Sequence, residues 1–237
     1  MEIRLEHISK FYEKSVLNDI CLSIKGAHAV GIIGQSGCGK STLLRLLAGM
    51  EKPETGQLIV NGTNLNTADK KAYQRNIGYV FQKHNLFPHL SLKDNIVLIL
   101  HKIKKYSREE AEKKAIETLK MVHLEDEMNK KPDTVSGGQA QRASIARALA
   151  ADPQLIFLDE PTAALDPILT AEVLKVIQEL KNQGREFIFV THELKFLKNF
   201  ADHILFLDHG KIAEEGSIDC LTNPKTKLLE NFVRGEL

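Results

Sequence analysis

The sharpest chemical signal in the chain is the run Gly34-Gln35-Ser36-Gly37-Cys38-Gly39-Lys40-Ser41-Thr42. It fits the phosphate-loop pattern G-x-x-x-x-G-K-S/T, with Gly34, Gly39, Lys40 and Ser41 on the fixed positions. Glycines let the backbone curl so tightly that successive N–H groups point inward at phosphate oxygens. The positive end of the helix that follows adds to the attraction. Lys40 reaches the terminal phosphates, and the Ser41 hydroxyl suits a Mg²⁺ ligand. Cys38 reads as a small neutral filler of this loop that stays open to alkylation.

Further residue types along the chain fit the same chemistry. Asp159-Glu160 directly follows the apolar run Leu155-Ile156-Phe157-Leu158, at the strand end where ligands bind in open α/β sheets. Asp159 there is expected to hold a Mg²⁺ shell, and Glu160 to polarise an attacking water. Gln82 ends the apolar stretch Ile77–Phe81 and can serve as a Mg²⁺ or water ligand on a mobile loop. Ser136-Gly137-Gly138-Gln139 precedes a helix expected over 140–149 and by itself reads as an N-cap, but the same helix end also suits an anion. An orphan serine hydroxyl, two glycines and a helix dipole make a second anion site. Two such sites in one chain need either one phosphate chain between them or a second subunit. His192 follows the strand-like Phe187–Val190 and is either structural or a donor to a γ-phosphate. Phe11-Tyr12 offers an aromatic that either stacks on a base or is half-buried in a strand.

These residues need elements to hold them. Ala29–Ile33 reads as a buried parallel strand before the loop, and Leu43–Ala48 as a helix after it that Gly49 ends. Residues 1–28 alternate apolar and polar in pieces, which suggests antiparallel strands. Residues 53–62 read as a turn, a strand and an Asn61-Gly62 turn. Ser107-Arg108-Glu109-Glu110 is a capping box, with Ala111, Ala115, Leu119 and Val122 at helical spacing behind it. The interleaved Lys and Glu residues around it read as a solvated helical face, in an insertion that ends near Pro132. Pro167 opens a long helix, Ile204–Ile212 is a hairpin, and 224–233 is a short amphipathic helix.

At 237 residues the chain can bury a sizeable core, as one domain with a satellite lobe. A formal net charge of +1 gives no electrostatic case for a nucleic-acid partner. The scattered Cys21, Cys38 and Cys220 have no metal-site spacing and suit a reducing compartment. The N-terminus has no signal-peptide core, and the apolar run Ile96–Leu100 is too short to cross a bilayer. A soluble protein is expected, associating with a membrane only through a partner.

Taken in order, the motifs resemble those of the ATP-binding cassette (ABC) ATPases over nearly the whole chain. Gly34–Thr42 resembles the Walker A loop, Gln82 the Q-loop, and Val135-Ser136-Gly137-Gly138-Gln139 the signature. Leu155–Glu160 resembles Walker B with its catalytic Glu, Ala163-Ala164-Leu165-Asp166 the D-loop, and His192 the switch histidine. Val135 stands where Leu is commoner, and Ala140 where a polar residue is usual; neither is a phosphate ligand. Lys10 fits the usual Lys two places before the base-stacking aromatic, which favours Tyr12 over Phe11.

The resemblance implies an α/β P-loop NTPase with a RecA-like, mainly parallel core, an antiparallel β-subdomain and an inserted helical subdomain. Core and β-subdomain fall at about 1–85 and 151–237, the helical subdomain at about 86–150. It implies an ATPase in which ATP is sandwiched between the Walker A loop of one copy and the signature of a second. Tyr12, the loop residues 34–42, Gln82, Ser136, Gly137, Gly138, Gln139, Asp159, Glu160, Asp166 and His192 would then meet ATP, with Ser41, Gln82 and Asp159 on Mg²⁺. The implied partners are a membrane permease and, indirectly, a periplasmic or surface solute-binding protein, at the cytoplasmic face of the cell membrane. Asn85–Leu92 and Ala201–Gly216 look most like importers of polar amino acids. With about twenty-five residues after the hairpin, the C-terminal regulatory domain of sugar-type or methionine-type importers is not expected. The rivals are a lipoprotein-release or cell-division cassette, a non-transport cassette ATPase, and a small-molecule kinase.

Overall fold

The computed structural model of the chain describes residues 1–163 and 165–236. Ala164, within the expected D-loop, lies outside the described residues. In chain order the first elements are β1 (Glu2–Phe11), β2 (Ser15–Lys25), β3 (Ala29–Gly34), α1 (Lys40–Leu47), β4 (Thr55–Val60), β5 (Thr63–Asn64), α2 (Lys70–Gln74) and β6 (Ile77–Val80). Next come α3 (Leu92–Ile103), α4 (Arg108–Met121), α5 (Gly137–Leu149), β7 (Leu155–Asp159) and α6 (Pro167–Asn182). Last are β8 (Glu186–Val190), α7 (Leu194–Phe200), β9 (His203–Asp208), β10 (Lys211–Ser217) and α8 (Lys227–Arg234). The chain divides into two units, Met1–Gln74 together with Glu186 onward, and Arg75–Arg185.

In the first unit, period-two alternation builds an antiparallel sheet. Ile3, Leu5 and Ile8 of β1 face Ile24, Leu22 and Ile20 of β2, and all are buried. β4 pairs with the other edge of β1, and Asn61-Gly62, both left-handed at φ 45° and 76°, turn β4 into β5. A second set of strands has β3 between β8 and β9, parallel to both. Every residue of β3 is buried, as a strand covered on both faces must be. Phe187, Phe189, Phe196 and Phe200 pack ring on ring beside it. Because β3, β8 and β9 run parallel, the segments that leave them emerge at one edge: the loop from Gly34, then Thr191-His192, then Asp208-His209. α1 begins at Lys40, ahead of its apolar run, because Gly39 caps it and Lys40-Ser41-Thr42 form its first turn; Gly49, at φ 65°, follows its end.

In the second unit β6 and β7 run parallel, Tyr79 opposite Phe157 and Val80 opposite Leu158. Helices α3, α4 and α5 pack on one another through Leu92, Ile96 and Leu100, then Ala111, Ala115 and Leu119, then Ala140 and Ala143, all buried. Ser107 and Glu110 close the capping box read from the sequence. α5 starts at Gly137 rather than at Ala140. Ser136 caps it, and Gln139 reaches back to Ser136 N at 2.9 Å, so the glycines fall inside the first turn. Gly138 is there for space: a Cβ would lie 2.9 Å from Leu169 Cδ2 of α6.

Buried Glu214 of β10 ties down the C-terminal end. Its carboxylate accepts from Lys225 N at 2.9 Å, Thr226 N at 2.8 Å and Thr226 Oγ1 at 2.7 Å, and Thr226 in turn caps α8. Burial pushes this carboxyl up, while the hydrogen bonds outweigh it and hold it below the ordinary value. A depressed carboxyl contributes stability that is complete above the unfolded value and lost as pH falls through the folded one. Glu214→Gln is therefore expected to lower stability by about 1–3 kcal/mol at neutral pH, with the deficit shrinking below about pH 4. Thermal melts of both proteins across pH check this; a deficit that does not change with pH would contradict it.

Candidate active site

The phosphate loop of the first unit has the geometry its glycines were expected to allow. Gly34 and Gly39 have φ of 146° and 107°, where a side chain is strained. Space is closed as well: a Cβ on Gly34 would lie 2.2 Å from Leu207 O, and one on Gly39 2.9 Å from Val16 O. Lys40 is only 5% exposed, and its ammonium donates to Gly34 O at 2.9 Å and Gln35 O at 2.7 Å. The charge is thus fixed within the loop by the loop's own carbonyls. Gln35, Ser36 and Gly37 are exposed, Ser41 is half-buried, and Thr42 is buried. A cavity of about 360 Å³ flanks the loop, lined by Lys14, Ser15 and Val16 on one side and Asp208, His209 and Gly210 on the other. That volume is at the small end of ligand pockets.

Cys38 corrects one expectation. It is buried, and burial pushes its thiol up despite the nearby Lys40. It lines the cavity beside the loop, but a mostly buried thiol held protonated is a slow target for alkylation, and its reading as a filler stands.

Tyr12 is half exposed, and its hydroxyl donates to Glu51 while the Thr42 side chain bonds the same phenol. The Lys10 ammonium lies 5.1 Å from the Tyr12 ring centroid. The phenol of Tyr12 is thus tied to the end of the phosphate loop, whereas Phe11 is held by its backbone, with N donating to Glu54 at 3.2 Å. His192 is exposed at the C-terminal end of β8, on the same strand edge as the loop after β3.

The second unit repeats the logic. Gln82 and Asp159-Glu160 stand at the C-terminal ends of the parallel β6 and β7. Asp159 is 6% exposed, with the Tyr79 hydroxyl 3.3 Å from its Oδ2. Gln82 Nε2 donates to Glu160 Oε2 at 3.1 Å. Glu160 holds a left-handed backbone, φ 48°, which costs a non-glycine residue roughly 1–3 kcal/mol.

The Ser136 hydroxyl is the N-cap of α5, one of the two readings the sequence offered, rather than an orphan. It accepts from Gln139 N at 3.2 Å, which leaves its proton as the donor toward an anion. Gln139 spends its carbonyl oxygen on the capping box. Asp166 Oδ1 caps α6, accepting from Ile168 N at 2.9 Å and Leu169 N at 3.0 Å. Gly137 and Gly138 bring the α5 N-terminus against Leu165 and Leu169, beside that cap.

Sequence reasoning missed the residues that hold the Gln82 segment. Arg147 of α5 donates to Asn85 O at 2.5 Å and His84 O at 3.1 Å, and buried Gln141 Oε1 lies 2.5 Å from His84 Nδ1. Asn95 of α3 accepts from Phe87 N at 2.7 Å and donates to Ser91 O at 2.9 Å. No spacing rule links an arginine to carbonyls some sixty positions earlier.

A glycine cradle opening a helix, with a Lys inside it and acidic residues at strand ends, defines the class of phosphate-loop nucleoside-triphosphate hydrolases. The family model for ABC transporters matches residues 17–163. The chain is 42% identical over 236 residues to the glutamine transport ATP-binding protein GlnQ of Escherichia coli, covering 98% of each chain. It is 40% identical over 241 residues to the arginine transport ATP-binding protein ArtP of Haemophilus influenzae, covering 98% of this chain and 99% of that one. Among solved structures, the dimeric post-hydrolysis state of an ATP-binding cassette bound to ADP and Pi superposes with a TM-score of 0.80 at 35% identity, covering 91% of this chain and 98% of that one. The chain belongs to the ABC transporter family, and it is an ATP-binding, ATP-hydrolysing cassette with the P-loop NTPase fold.

Arg147→Ala is expected to free the backbone carbonyls of His84 and Asn85 and with them the placement of Gln82. ATP turnover should fall roughly tenfold to a hundredfold, with affinity for ATP little changed and Arg147→Lys intermediate. Steady-state phosphate release beside nucleotide titration checks this; a folded Arg147→Ala variant with normal turnover would contradict it.

Proposed function

We propose that two copies of this chain close around two ATP molecules and drive uptake of polar amino acids through a separate membrane permease. The observation that carries the reading is the pairing of two anion-binding helix ends on one chain: the Lys40 loop at α1 and the Ser136-capped start of α5. One chain offers two cradles, and a head-to-tail pair uses both on each nucleotide. The corner beside the α5 cap also exposes Ile168, 75% accessible at the start of α6, an apolar side chain suited to burial by a second copy.

In this reading Lys40 and the amides of residues 35–42 neutralise the β- and γ-phosphates, and Tyr12 meets the base. Ser136 and Gly138 of the second copy close on the γ-phosphate, and His192 steadies it. Glu160, held by Gln82, orients the attacking water and takes its proton. The Ser41 hydroxyl, Gln82 amide oxygen and Asp159 carboxylate are hard oxygen donors, a set that fits Mg²⁺. When bound, Mg²⁺ supplies charge neutralisation at the β- and γ-oxygens. Closure of the pair would be the working stroke and hydrolysis the reset.

The solute class rests on the relatives, which are ATP-binding subunits for glutamine and for arginine. A lipoprotein-release or cell-division role is not favoured beside them. No described helix is long and apolar enough to cross a membrane, so attachment at the cytoplasmic face would come through the permease, with a solute-binding protein as an indirect partner. Within the helical subdomain, proposed at about 86–150, exposed Phe87 beside the Gln82 segment suits an apolar permease contact. Replacing the water-activating carboxylate should leave binding intact and stop turnover. Glu160→Gln with ATP is expected to elute as a dimer on gel filtration and to hydrolyse ATP at least roughly a hundredfold slower; a variant that stays monomeric with ATP would sink the proposal.

A further inference from the structure

Away from the nucleotide residues, one side-chain cluster on the β1–β2 hairpin combines nitrogen, oxygen and sulfur donors. His7 Nδ1 lies 2.8 Å from Asp19 Oδ1 and 3.7 Å from Cys21 Sγ, and the ligand atoms of all three residues fall within 4.8 Å of one another. We propose that His7, Asp19 and Cys21 form a binding site for a borderline divalent cation of the Zn²⁺ type, which staples this hairpin.

The backbone is built to bring these groups together. Between the pairs Leu5–Leu22 and Ile8–Ile20, Glu6 and His7 oppose Cys21 alone, a bulge in β1. Between Ile8–Ile20 and Lys10–Leu17 the extra residue is in β2, where Asp19 lies. Strict alternation from Ile3 and Leu5 would turn His7 into the core; the bulge sends Ile8 inward in its place and puts His7 on the outer face with Asp19 and Cys21. His7 and Asp19 have φ of 53° and 50°, a backbone held from outside. Thr55 Oγ1 donates to His7 O at 3.1 Å, Asp19 N donates to Ser9 Oγ at 3.1 Å, and Gly56 lies so close that a Cβ there would meet Glu6 O at 2.2 Å.

The donor set selects the cation. A cysteine sulfur excludes Mg²⁺ and Ca²⁺ as preferred occupants and, with imidazole and carboxylate, suits Zn²⁺ or Co²⁺. Tetrahedral Zn²⁺ with ordinary bond lengths spaces a sulfur and a nitrogen ligand by about 3.6 Å, and nitrogen and oxygen by about 3.4 Å. The sulfur–nitrogen distance of 3.7 Å already fits, and the nitrogen–oxygen pair must open from 2.8 Å, which the exposed His7 and Asp19 side chains leave room for. His7 N also donates to Cys21 Sγ at 3.4 Å, the kind of outer hydrogen bond that orients a thiolate ligand. Binding would release the thiol proton to solvent and leave the fourth position to water. The turn between β1 and β2 carries Tyr12, so the staple would steady the hairpin that presents it.

Titration of the nucleotide-free full chain with Co²⁺ under reducing conditions tests the site. A sulfur-to-cobalt charge-transfer band is expected to saturate at one ion per chain and to disappear on Zn²⁺ addition. Cys21→Ser should abolish the band, and His7→Ala and Asp19→Ala should each weaken Co²⁺ affinity by roughly tenfold or more, with basal ATP turnover unchanged. Circular dichroism establishes that each variant is folded. A band that never saturates, that survives Cys21→Ser, or that is indifferent to both His7→Ala and Asp19→Ala overturns the assignment.

Discussion

An ammonium held by the carbonyls of its own loop is the contact on which the site depends. Lys40 bonds Gly34 O and Gln35 O, and that geometry exists only because the backbone at Gly34 takes a conformation closed to other residues. A curl of this kind is what lets loop N–H groups meet phosphate oxygens at the start of a helix such as α1. A triphosphate carries its charge into a place where both the lysine and the helix end are already set, so little reorganisation is left to the moment of binding. The strands supply the address: parallel β3, β8 and β9 deliver the loop and His192 to one edge, and parallel β6 and β7 deliver Gln82 and Glu160 to theirs.

Much of this was legible in the residues. The buried run of β3, the alternation in β1 and β2, the Asn61-Gly62 turn and the Ser107 capping box each announce themselves through a period or a local bond, and each forms where expected. Local signals end where distant groups begin to matter. The cap at Ser136 was read correctly but the helix was expected only from Ala140; the glycines belong to its first turn, where Leu169 leaves no room for anything larger than Gly138. Cys38 was expected to fill the loop and stay open to alkylation, but its exposure is set by packing around the loop. Arg147 and Gln141 carried no signal at all, since their partners are carbonyl and imidazole groups of a segment far earlier in the chain.

Those long-range bonds give the second unit a mechanical character. The helix whose Ser136-capped end is proposed to meet the γ-phosphate, α5, is also the helix that grips His84 and Asn85, just after Gln82, and Gln82 in turn holds Glu160. An event at the Ser136 end therefore has a short, bonded route to the carboxylate that would activate water.

The central claim is that the Lys40 ammonium is the loop's working charge. Equilibrium titration of a fluorescent ATP analogue into the wild-type chain and into Lys40→Ala tests it most directly. Loss of one buried charged contact to phosphate should weaken affinity roughly tenfold to a hundredfold and remove turnover, in a protein whose circular dichroism is unchanged. Equal affinity and equal turnover in the two proteins would contradict the account.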